Sequence, residues 1–367
     1  MTHDERIAAL QDWGYGPRQA AFLALVMLHG GYFVRRQVAG FFHRKDGGVA
    51  TAFMRELVLR RHARAAVYRR RTHVYHVYAR PLFAAIGEEH NRNRRDVAPA
   101  EVVRKVMTVD LMLQTPQARF LATEQEKVAY LTGTCGVPLR VLPATWFGSQ
   151  TDVFRGVVRY FLDKAPMFVG PQDGTVSIAY VQGLDTTLTG LQTFLDTYAR
   201  LLSALSRACF VLCAPDPWVC DRGEQVMAAW RRSAPARQAA AAVRLREQLT
   251  AYCVSRHRLD TKSGFASNAD RRIVRQRHGL VAAPRFEGLY ERWRAYGASA
   301  IDHQLSLEVP VDLSRVHVTS HVFPYRYELF GTVLEPVCLR CHRNPDPSRT
   351  PIDFAGSFAT QPAFERL

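Results

Sequence analysis

Apolar residues in the first sixty positions recur with the spacing of α-helices. Residues 17–29 are apolar over most of their length, which predicts a largely buried helix that a Gly-Gly pair ends. Residues 32–42 predict a second, shorter helix, and a polar turn then leads into a third over residues 49–61. In the third helix Phe53 and Leu57 lie four residues apart, with Val49 one turn earlier, and we expect the three to share one buried face.

The hydrophobic pattern then changes from a helical period to short runs rich in β-branched and aromatic residues. Residues 65–68 and 72–78 are two such runs, and Arg69, Arg70 and Arg71 connect them. Two short β-rich runs with a brief connection predict a β-hairpin. Its tip would therefore carry three positive charges.

A polar segment separates this region from the next helical pattern. Residues 88–95 (EEHNRNRR) show no periodicity and predict a linker. Residues 99–114 predict a helix, and Thr123 with Glu126 forms the capping box that begins another. Residues 139–142 predict a short strand.

The middle of the chain alternates strand and helix patterns. Residues 176–181 are an apolar strand after a turn, residues 186–206 are a long amphipathic helix, and residues 208–213 are a continuous apolar run. A continuous apolar run is typical of a strand that is covered on both faces. The three segments together predict a βαβ unit with parallel strands.

The last 140 or so residues have a weaker pattern, so fewer elements are predicted there. Residues 225–255 are mostly helical and residues 286–296 form an aromatic helix, while residues 316–323 and 325–334 predict closing strands. Residues 255–278 are polar and strongly basic. They predict either a second nucleic-acid surface or a solvated face or loop.

Charge narrows the function classes that this pattern allows. The chain has 367 residues, 47% hydrophobic residues and a formal net charge of +16, which favours a nucleic-acid partner over an anionic membrane surface. Between Arg55 and Arg80 there are eight arginines and the single acid Glu56. No apolar stretch is long enough for a membrane-spanning helix, and no signal layout is visible, so a cytoplasmic protein with reduced cysteines is expected.

Three helices followed by a basic hairpin resemble the winged helix-turn-helix family. In that family the third helix enters the major groove of DNA and the hairpin, or wing, lies on the backbone or the minor groove. The resemblance implies that Ala50, Thr51 and Arg55 face base edges and that the hairpin arginines and His73 contact phosphates. The alternative is a winged helix that contacts protein. The full set of predicted DNA-binding residues is Arg35, Arg36, Arg44, Lys45, Ala50, Thr51, Arg55, Arg69, Arg70, Arg71 and His73.

The chain as a whole resembles the replication-relaxation type proteins of mobile elements. Their second domain is similar in layout to nuclease folds that hold a metal between an Asp in a turn and an acid-x-Lys on the next strand. Asp173 matches the turn position, but residues 176–181 contain neither a carboxylate nor a lysine. A two-carboxylate metal clamp cannot be assembled from that strand, so the resemblance implies a degenerate, inactive copy. Asp152, Asp163 and Asp185 leave a rearranged site open.

These patterns predict a multidomain α+β protein. Its expected parts are a winged helix-turn-helix domain (1–87), a linker and connecting helix (88–122), an α/β domain that resembles a degenerate nuclease (123–230) and a basic, mainly helical region with closing strands (231–367).

Cysteine spacing suggests one further kind of site. Cys338 and Cys341 with His342 have the spacing of half a zinc site, but free thiols are the alternative that we favour. Cys209 and Cys213 lie in a predicted core strand, where cysteine acts as a small hydrophobe. We therefore predict neither a metal nor a cofactor.

The sequence thus predicts a sequence-recognising protein that binds double-stranded DNA, a transcriptional regulator or a replication-linked factor of a mobile element. A homodimer or protein partners would assemble through the α/β domain. A metal-dependent nuclease or nicking enzyme is the first alternative, and a structural subunit of a nucleoprotein complex is the second.

Overall fold

The computed structural model describes residues 1–43, 47–68, 72–148, 154–261, 267–307 and 311–327. Within these ranges the chain is a mixed α+β structure with one three-stranded, one five-stranded and one two-stranded sheet. None of the helices in these ranges is long and apolar enough to cross a membrane.

The first unit of the fold comprises five helices and a small antiparallel sheet. The sheet has the order β1-β3-β2, so the first strand lies at its edge, beside the hairpin. The elements in chain order are α1 (His3–Asp12), α2 (Pro17–His29), β1 (Tyr32–Val34), α3 (Arg35–Phe41), α4 (Gly47–Leu59), β2 (Ala63–Tyr68), β3 (Thr72–Val77) and α5 (Arg80–Ala85).

The predicted helix α2, the third helix and the hairpin are confirmed, but the start of the predicted second helix is wrong. Tyr32, Phe33 and Val34 form β1, which pairs antiparallel with β3 so that Tyr32 lies opposite His76. Aromatic and β-branched residues favour a strand, and an available partner strand decided the conformation here. The helix itself begins only at Arg35.

Aromatic rings fill the centre of this first unit. Phe22 of α2 is fully buried, and its ring centroid lies 5.3 Å from that of Phe33 and 6.2 Å from that of Phe53. Phe41 and Phe42, at the end of α3, contact the same ring. Phe22 therefore joins α2, β1, α3 and α4 in one core.

The polar segment that we predicted as a linker is packed against the first unit. Asn93 is 1% exposed, and its Nδ2 donates to the carbonyl oxygens of Met27 and Leu28 at the end of α2. Gly31 has a φ of +77°, and a Cβ there would lie 2.2 Å from the Asn93 carbonyl oxygen. This close approach explains why glycine occupies position 31. The segment is thus packed, because the side-chain amide of Asn93 satisfies the carbonyl oxygens at the end of α2.

The helix α6 (Pro99–Gln114) lies between this unit and the five-stranded sheet. Val102, Val106 and Leu111 belong to a cluster that contains Tyr32 of β1 and also Ala179 and other side chains of the large sheet. The helix was predicted with these bounds. Since it is apolar on both sides, it joins the two units by packing.

The five-stranded sheet contains β4 (Arg119–Phe120), β7 (Met167–Val169), β8 (Val176–Val181), β9 (Ala208–Ala214) and β10 (Val316–Val322) in the order β10-β9-β8-β7-β4. The strands β8, β9 and β10 are parallel, and β4 and β7 are antiparallel to their neighbours. The helix α8 (Thr189–Ala204) connects β8 to β9, which confirms the predicted parallel βαβ unit. Its apolar face packs on the sheet face opposite α6.

Between β4 and β7 the structure differs from the prediction in one place. The capping box of Thr123 and Glu126 begins α7 (Glu124–Ala129) as expected. Leu139–Val141 is a short 3-10 helix rather than a strand. The hairpin of β5 (Ala144–Gly148) and β6 (Gly156–Tyr160) was not predicted.

The C-terminal part of the described chain is helical. It contains α9 (Pro217–Arg232), α10 (Ala234–Asp260), α11 (Asn268–Val281), α12 (Leu289–Tyr296) and α13 (Ala298–Ser306). The helices α10 to α13 enclose a core of their own around Tyr252, Phe286 and Leu289. The predicted strand at 316–323 is confirmed as β10, whereas residues 328–334 and the Cys338–His342 segment lie outside the described residues.

Candidate nucleic-acid interface

The helix α4 has one buried and one exposed face. Phe53, Met54 and Leu57 are at most 2% exposed and pack into the first unit's core, so the predicted buried face is confirmed for Phe53 and Leu57. Val49, in the first turn of the helix, is 49% exposed, and its predicted place on that face is wrong. Because α-helical residues three and four apart share a face, the residues between them point outward. Thr51 and Arg55 are exposed there, as expected.

Ala50 corrects one residue of the predicted interface. Its side chain is 1% exposed and belongs to the core beside Phe53. It lies one turn before Phe53 and Met54, on the same face, and a contact with a base edge is excluded for it in this structure. Ala52, which was not predicted, is exposed in its place.

The exposed face of α4 and the first residue of α3 border an open groove with a volume of about 680 Å³. Arg35 lies on the α3 side, and Thr51, Arg55 and Leu59 lie along α4. Leu59 is 72% exposed, which is unusual for a large apolar side chain and which the sequence pattern did not indicate. The groove is thus lined by both cationic and apolar groups.

The arginines of the groove differ in their partners. Neither Arg35 nor Arg55 makes an ion pair with any described residue, and both are exposed. Arg60 is committed to Glu56 through a 2.6 Å ion pair and donates to the carbonyl oxygen of Trp13. Arg35 and Arg55 are therefore the groove cations that are available to a ligand.

Arg36 was predicted to bind DNA, but it has a structural role. Its Nη2 donates to Oδ2 of Asp110 at 2.6 Å, its Nη1 donates to Oδ1, and its guanidinium stacks 3.6 Å from the ring centroid of Tyr325. Asp110 is 1% exposed and also accepts a hydrogen bond from Tyr327. Arg36 ties α3 to α6 and to the segment after β10, so we remove it from the candidate interface.

The hairpin of β2 and β3 extends from the end of α4. The pairing runs from Ala63 opposite Val77 to Tyr68 opposite Thr72, which confirms the predicted antiparallel hairpin. His73 is half-buried near the tip, opposite Val67. The predicted tip residues Arg69, Arg70 and Arg71, and the turn residues Arg44 and Lys45, lie outside the described residues.

His76 is a structural residue of the hairpin base. Its ring is 3% exposed and stacks on Tyr32 at a centroid distance of 4.0 Å, and its Nε2 lies 2.9 Å from the carbonyl oxygen of Asn93. Burial, with a smaller effect of Arg64, lowers the pKa of His76 to about 4. The neutral ring therefore holds the hairpin to the packed 88–95 segment and is not part of an exposed surface.

The α/β unit contains no arrangement of metal ligands among the residues that are described. No group of three or more His, Cys, Asp or Glu side chains in those ranges could hold a metal ion. Asp173 accepts hydrogen bonds from the backbone and the hydroxyl of Thr175, as a turn residue does. On the strand that follows it, Ser177 and Ala179 are buried.

The other carboxylates that we considered for a rearranged site already have protein partners. Asp163 accepts from the hydroxyl of Tyr198, and Asp185 accepts from Nε2 of Gln182. Asp152 lies outside the described residues. Cys209 and Cys213 are buried free thiols in β9, and burial raises the pKa of each, so both behave as small hydrophobes as predicted.

The basic stretch 255–278 forms helix where it is described, rather than a loop. It contains the end of α10 and most of α11. Arg271, Arg272 and Arg275 are exposed on α11 and make no ion pair within the described chain, whereas Arg258 pairs with the buried Asp270. Both interpretations that we gave this stretch, a second nucleic-acid surface and a solvated face, therefore stay open.

The chain was also compared with known proteins. No protein-family model, curated protein or solved structure matches it.

Proposed function

We propose that this protein binds double-stranded DNA through its first unit and recognises a particular sequence, as a transcriptional regulator or a replication-linked factor of a mobile element. The helix α4 would lie in the major groove. The β2–β3 hairpin would lie against the backbone. The observation that carries the proposal is the groove of α4, where Arg35 and Arg55 are exposed and have no ion-pair partner among the described residues.

The order and pairing of the elements support a winged helix-turn-helix arrangement. The chain order α2, β1, α3, α4, β2, β3 is helix, strand, helix, helix, strand, strand. In the sheet the strand order is β1-β3-β2. In that arrangement the outer face of the third helix is exposed and can contact DNA, and the hairpin lies beside this helix. The exposed face of α4 meets this requirement.

The chemistry of the groove supports base contact as well as phosphate contact. An arginine that lacks a carboxylate partner can donate two parallel hydrogen bonds to O6 and N7 of guanine. A small apolar side chain can contact a thymine methyl group, and Ala52 is exposed beside Thr51. The net charge of +16 would supply the sequence-independent part of the affinity.

The α/β unit has a scaffold role in this proposal. It presents the first unit through α6 and offers its remaining surface to a second copy or to protein partners. The hydrogen-bonded Asp163, Asp173 and Asp185 support this role over hydrolysis.

The direct test is a binding selection from a random duplex library with the full chain. Enrichment of one motif, followed by a measured preference for that motif over scrambled duplex, is the expected result. Equal affinity for the selected and scrambled duplexes would remove sequence recognition from the proposal. No affinity for duplex DNA at low salt would remove DNA binding itself.

Replacing Arg55 by alanine is expected to weaken binding to the selected site by about 1–3 kcal/mol and to weaken binding to scrambled duplex much less. The reason is that a bidentate contact with a base discriminates between sequences. Fluorescence anisotropy titrations on both duplexes measure the two losses. Arg55→Lys is the matched control, because it keeps the charge and loses the bidentate geometry. Full recovery by lysine on both duplexes would assign Arg55 to phosphate contact.

Replacing Arg69, Arg70 and Arg71 together by alanine is expected to reduce the slope of log affinity against log salt by roughly two to three. For each phosphate contact that is lost, DNA binding releases about one counterion fewer. The matched control removes three exposed arginines of α11, Arg271, Arg272 and Arg275. An unchanged slope in the hairpin variant would take the hairpin out of the interface. An equal fall in the control would assign α11 a place on the DNA.

A further inference from the structure

A second pocket lies where the first unit meets the α/β unit. We call it the junction pocket. It has a volume of about 460 Å³, within the range of small-molecule sites. Residues 84 and 87–92 form one wall, and the start of α7 with residues 159–164 forms the other. The pocket is separate from the groove of α4, since the two share no lining residue.

Lys127 of α7 is the unusual residue of the junction pocket. It lines the pocket although the residue is only 3% exposed. Its Nζ donates to the carbonyl oxygen of Ala165 at 2.6 Å and makes no ion pair with a described residue. An ammonium group has three donors, so two remain for a ligand. A buried ammonium group that makes no direct ion pair is costly, and a bound anion would offset part of that cost.

The carboxylates near this ammonium group are already bound elsewhere. Glu126 accepts from Arg6 in a 2.5 Å ion pair, and Asp163 accepts from Tyr198. Glu124, which lines the pocket, pairs with Arg159 at 2.7 Å. None of these carboxylates forms an ion pair with Lys127, although Asp163 and Glu126 lie close enough to raise its pKa.

The remaining acids of the pocket wall differ in their partners. Glu89 forms an ion pair with Arg80, whereas Glu88 accepts only from the neutral Nδ2 of Asn91 and keeps its negative charge beside the pocket. The exposed Arg92 on the same wall makes no ion pair with a described residue. With Lys127 and Lys164, the pocket thus has three such positive charges against the single carboxylate of Glu88.

Lys164 adds a second ammonium group on the same wall as Lys127. Its Nζ donates to Oδ1 of Asn91, a neutral acceptor. Desolvation first, and then repulsion from Lys105, Arg92 and Lys127, lowers the pKa of Lys164 to about 8, while Glu88 raises it. Burial also lowers the pKa of Lys127 to about 8, against the opposing effects of Asp163 and Glu126.

The backbone of the same wall is in an uncommon conformation. Phe161 and Lys164 have φ values of +52° and +54°, a region that non-glycine residues occupy rarely. Such strain persists only where the surrounding structure holds it. It places the Lys164 side chain at the pocket and agrees with a binding role.

We propose that the junction pocket binds a small molecule that carries a terminal phosphate group, with Lys127 and Lys164 donating to the phosphate oxygens. A phosphate monoester brings nearly two negative charges and three acceptor oxygens, which matches two ammonium groups with free donors. The half-buried Tyr160 and the side chains of Phe161 and Leu162 would pack against the rest of the molecule. The proposal does not depend on DNA binding by α4.

A phosphodiester of duplex DNA does not fit this pocket. Its phosphate carries a sugar on both sides, whereas Lys127 is buried and only 3% exposed. The two sugars would keep such a phosphate away from the Lys127 ammonium group. A terminal phosphate can reach this depth because only one side of it is substituted. The ligand is therefore a small molecule rather than the DNA that the first unit would bind.

The test uses calorimetric titration of the full chain at constant ionic strength with pyrophosphate, adenosine 5′-monophosphate and adenosine. We expect the two phosphate compounds to bind and uncharged adenosine to bind much more weakly. Lys164→Ala should weaken binding roughly ten- to hundredfold, as the loss of a charge-assisted hydrogen bond does. Lys127→Met should abolish binding. Arg271→Ala on α11 is the control of equal charge and should bind as the unchanged protein does.

The pH dependence separates direct contact from a structural effect. Both ammonium groups must be protonated to bind phosphate, and their pKa values are about 8. The affinity of the unchanged protein should therefore fall about a hundredfold from about pH 7 to about pH 9, about tenfold for each group, and that of Lys164→Ala should fall only about tenfold. Lys164 is exposed, so its variant should fold even if Lys127→Met does not. Equal pyrophosphate affinity in the unchanged protein and Lys164→Ala, or no binding of either phosphate compound, would overturn the proposal.

Discussion

Replacing Asp110 by alanine is expected to lower the free energy of unfolding by about 3–5 kcal/mol, because it leaves a buried ion pair with one partner only. The Asp110 carboxylate is 1% exposed and holds Arg36 by both oxygens. The pKa of Tyr327 lies above its usual range, first through burial and then through this carboxylate. Chemical denaturation of the full chain, followed by circular dichroism, measures the loss.

The same substitution should also disturb the interface that we propose. Arg36 follows Arg35 directly in the first turn of α3. When Arg36 loses Asp110, this turn is no longer held in place at the edge of the groove that Arg35 lines. Tyr327→Phe is the control that keeps the ion pair and removes one hydrogen bond, and it should cost about 0.5–1.5 kcal/mol. If Asp110→Ala destabilised the protein no more than this control, the ion pair would not hold the two units together.

Replacing Phe22 by alanine is expected to lower the free energy of unfolding of the first unit by about 3–5 kcal/mol. The ring is fully buried and contacts four other phenylalanine rings from β1, α3 and α4, so its removal leaves a cavity that those elements cannot all close. Because these contacts set the position of α4, duplex binding should be lost together with stability.

The matched control for Phe22 is Phe147→Ala, the same chemical change on β5. That side chain is 38% exposed, and the cost should stay within about 1 kcal/mol. Hydrogen exchange by mass spectrometry would report where Phe22→Ala acts. Increased exchange in α2 to α4 with little change in β8 and β9 is expected. A uniform increase over the whole chain would show that the two units unfold together.

Much of the local structure could be predicted because its causes are local. The helix α6 and the strand β8 were predicted with the bounds that the structure has, and Thr123 with Glu126 begins α7 as a capping box. Helix caps and apolar periodicity depend on residues a few positions apart, so the sequence shows them directly. The same holds for the exposed position of Arg55, which follows from the Phe53–Leu57 stripe.

The features that the sequence did not indicate have a common physical cause in contacts between distant segments. Residues Tyr32–Val34 became a strand because β3, about forty positions later in the chain, lies beside them. Residues 88–95 look like a linker because they are polar, but Asn93 bonds to the end of α2. In both cases the partner is far away in sequence, where neither propensity nor polarity indicates it.

The sequence alone determined that this protein has a helical first part with a basic hairpin, a parallel βαβ unit and an excess of positive charge. Only the tertiary structure decided which of the arginines stay available. It paired Arg36 with Asp110, left Arg35 and Arg55 exposed, and buried Ala50. It also brought Lys127 and Lys164 into one pocket. The reason is that charge and residue type are properties of single positions, whereas burial and pairing arise only when the chain is packed.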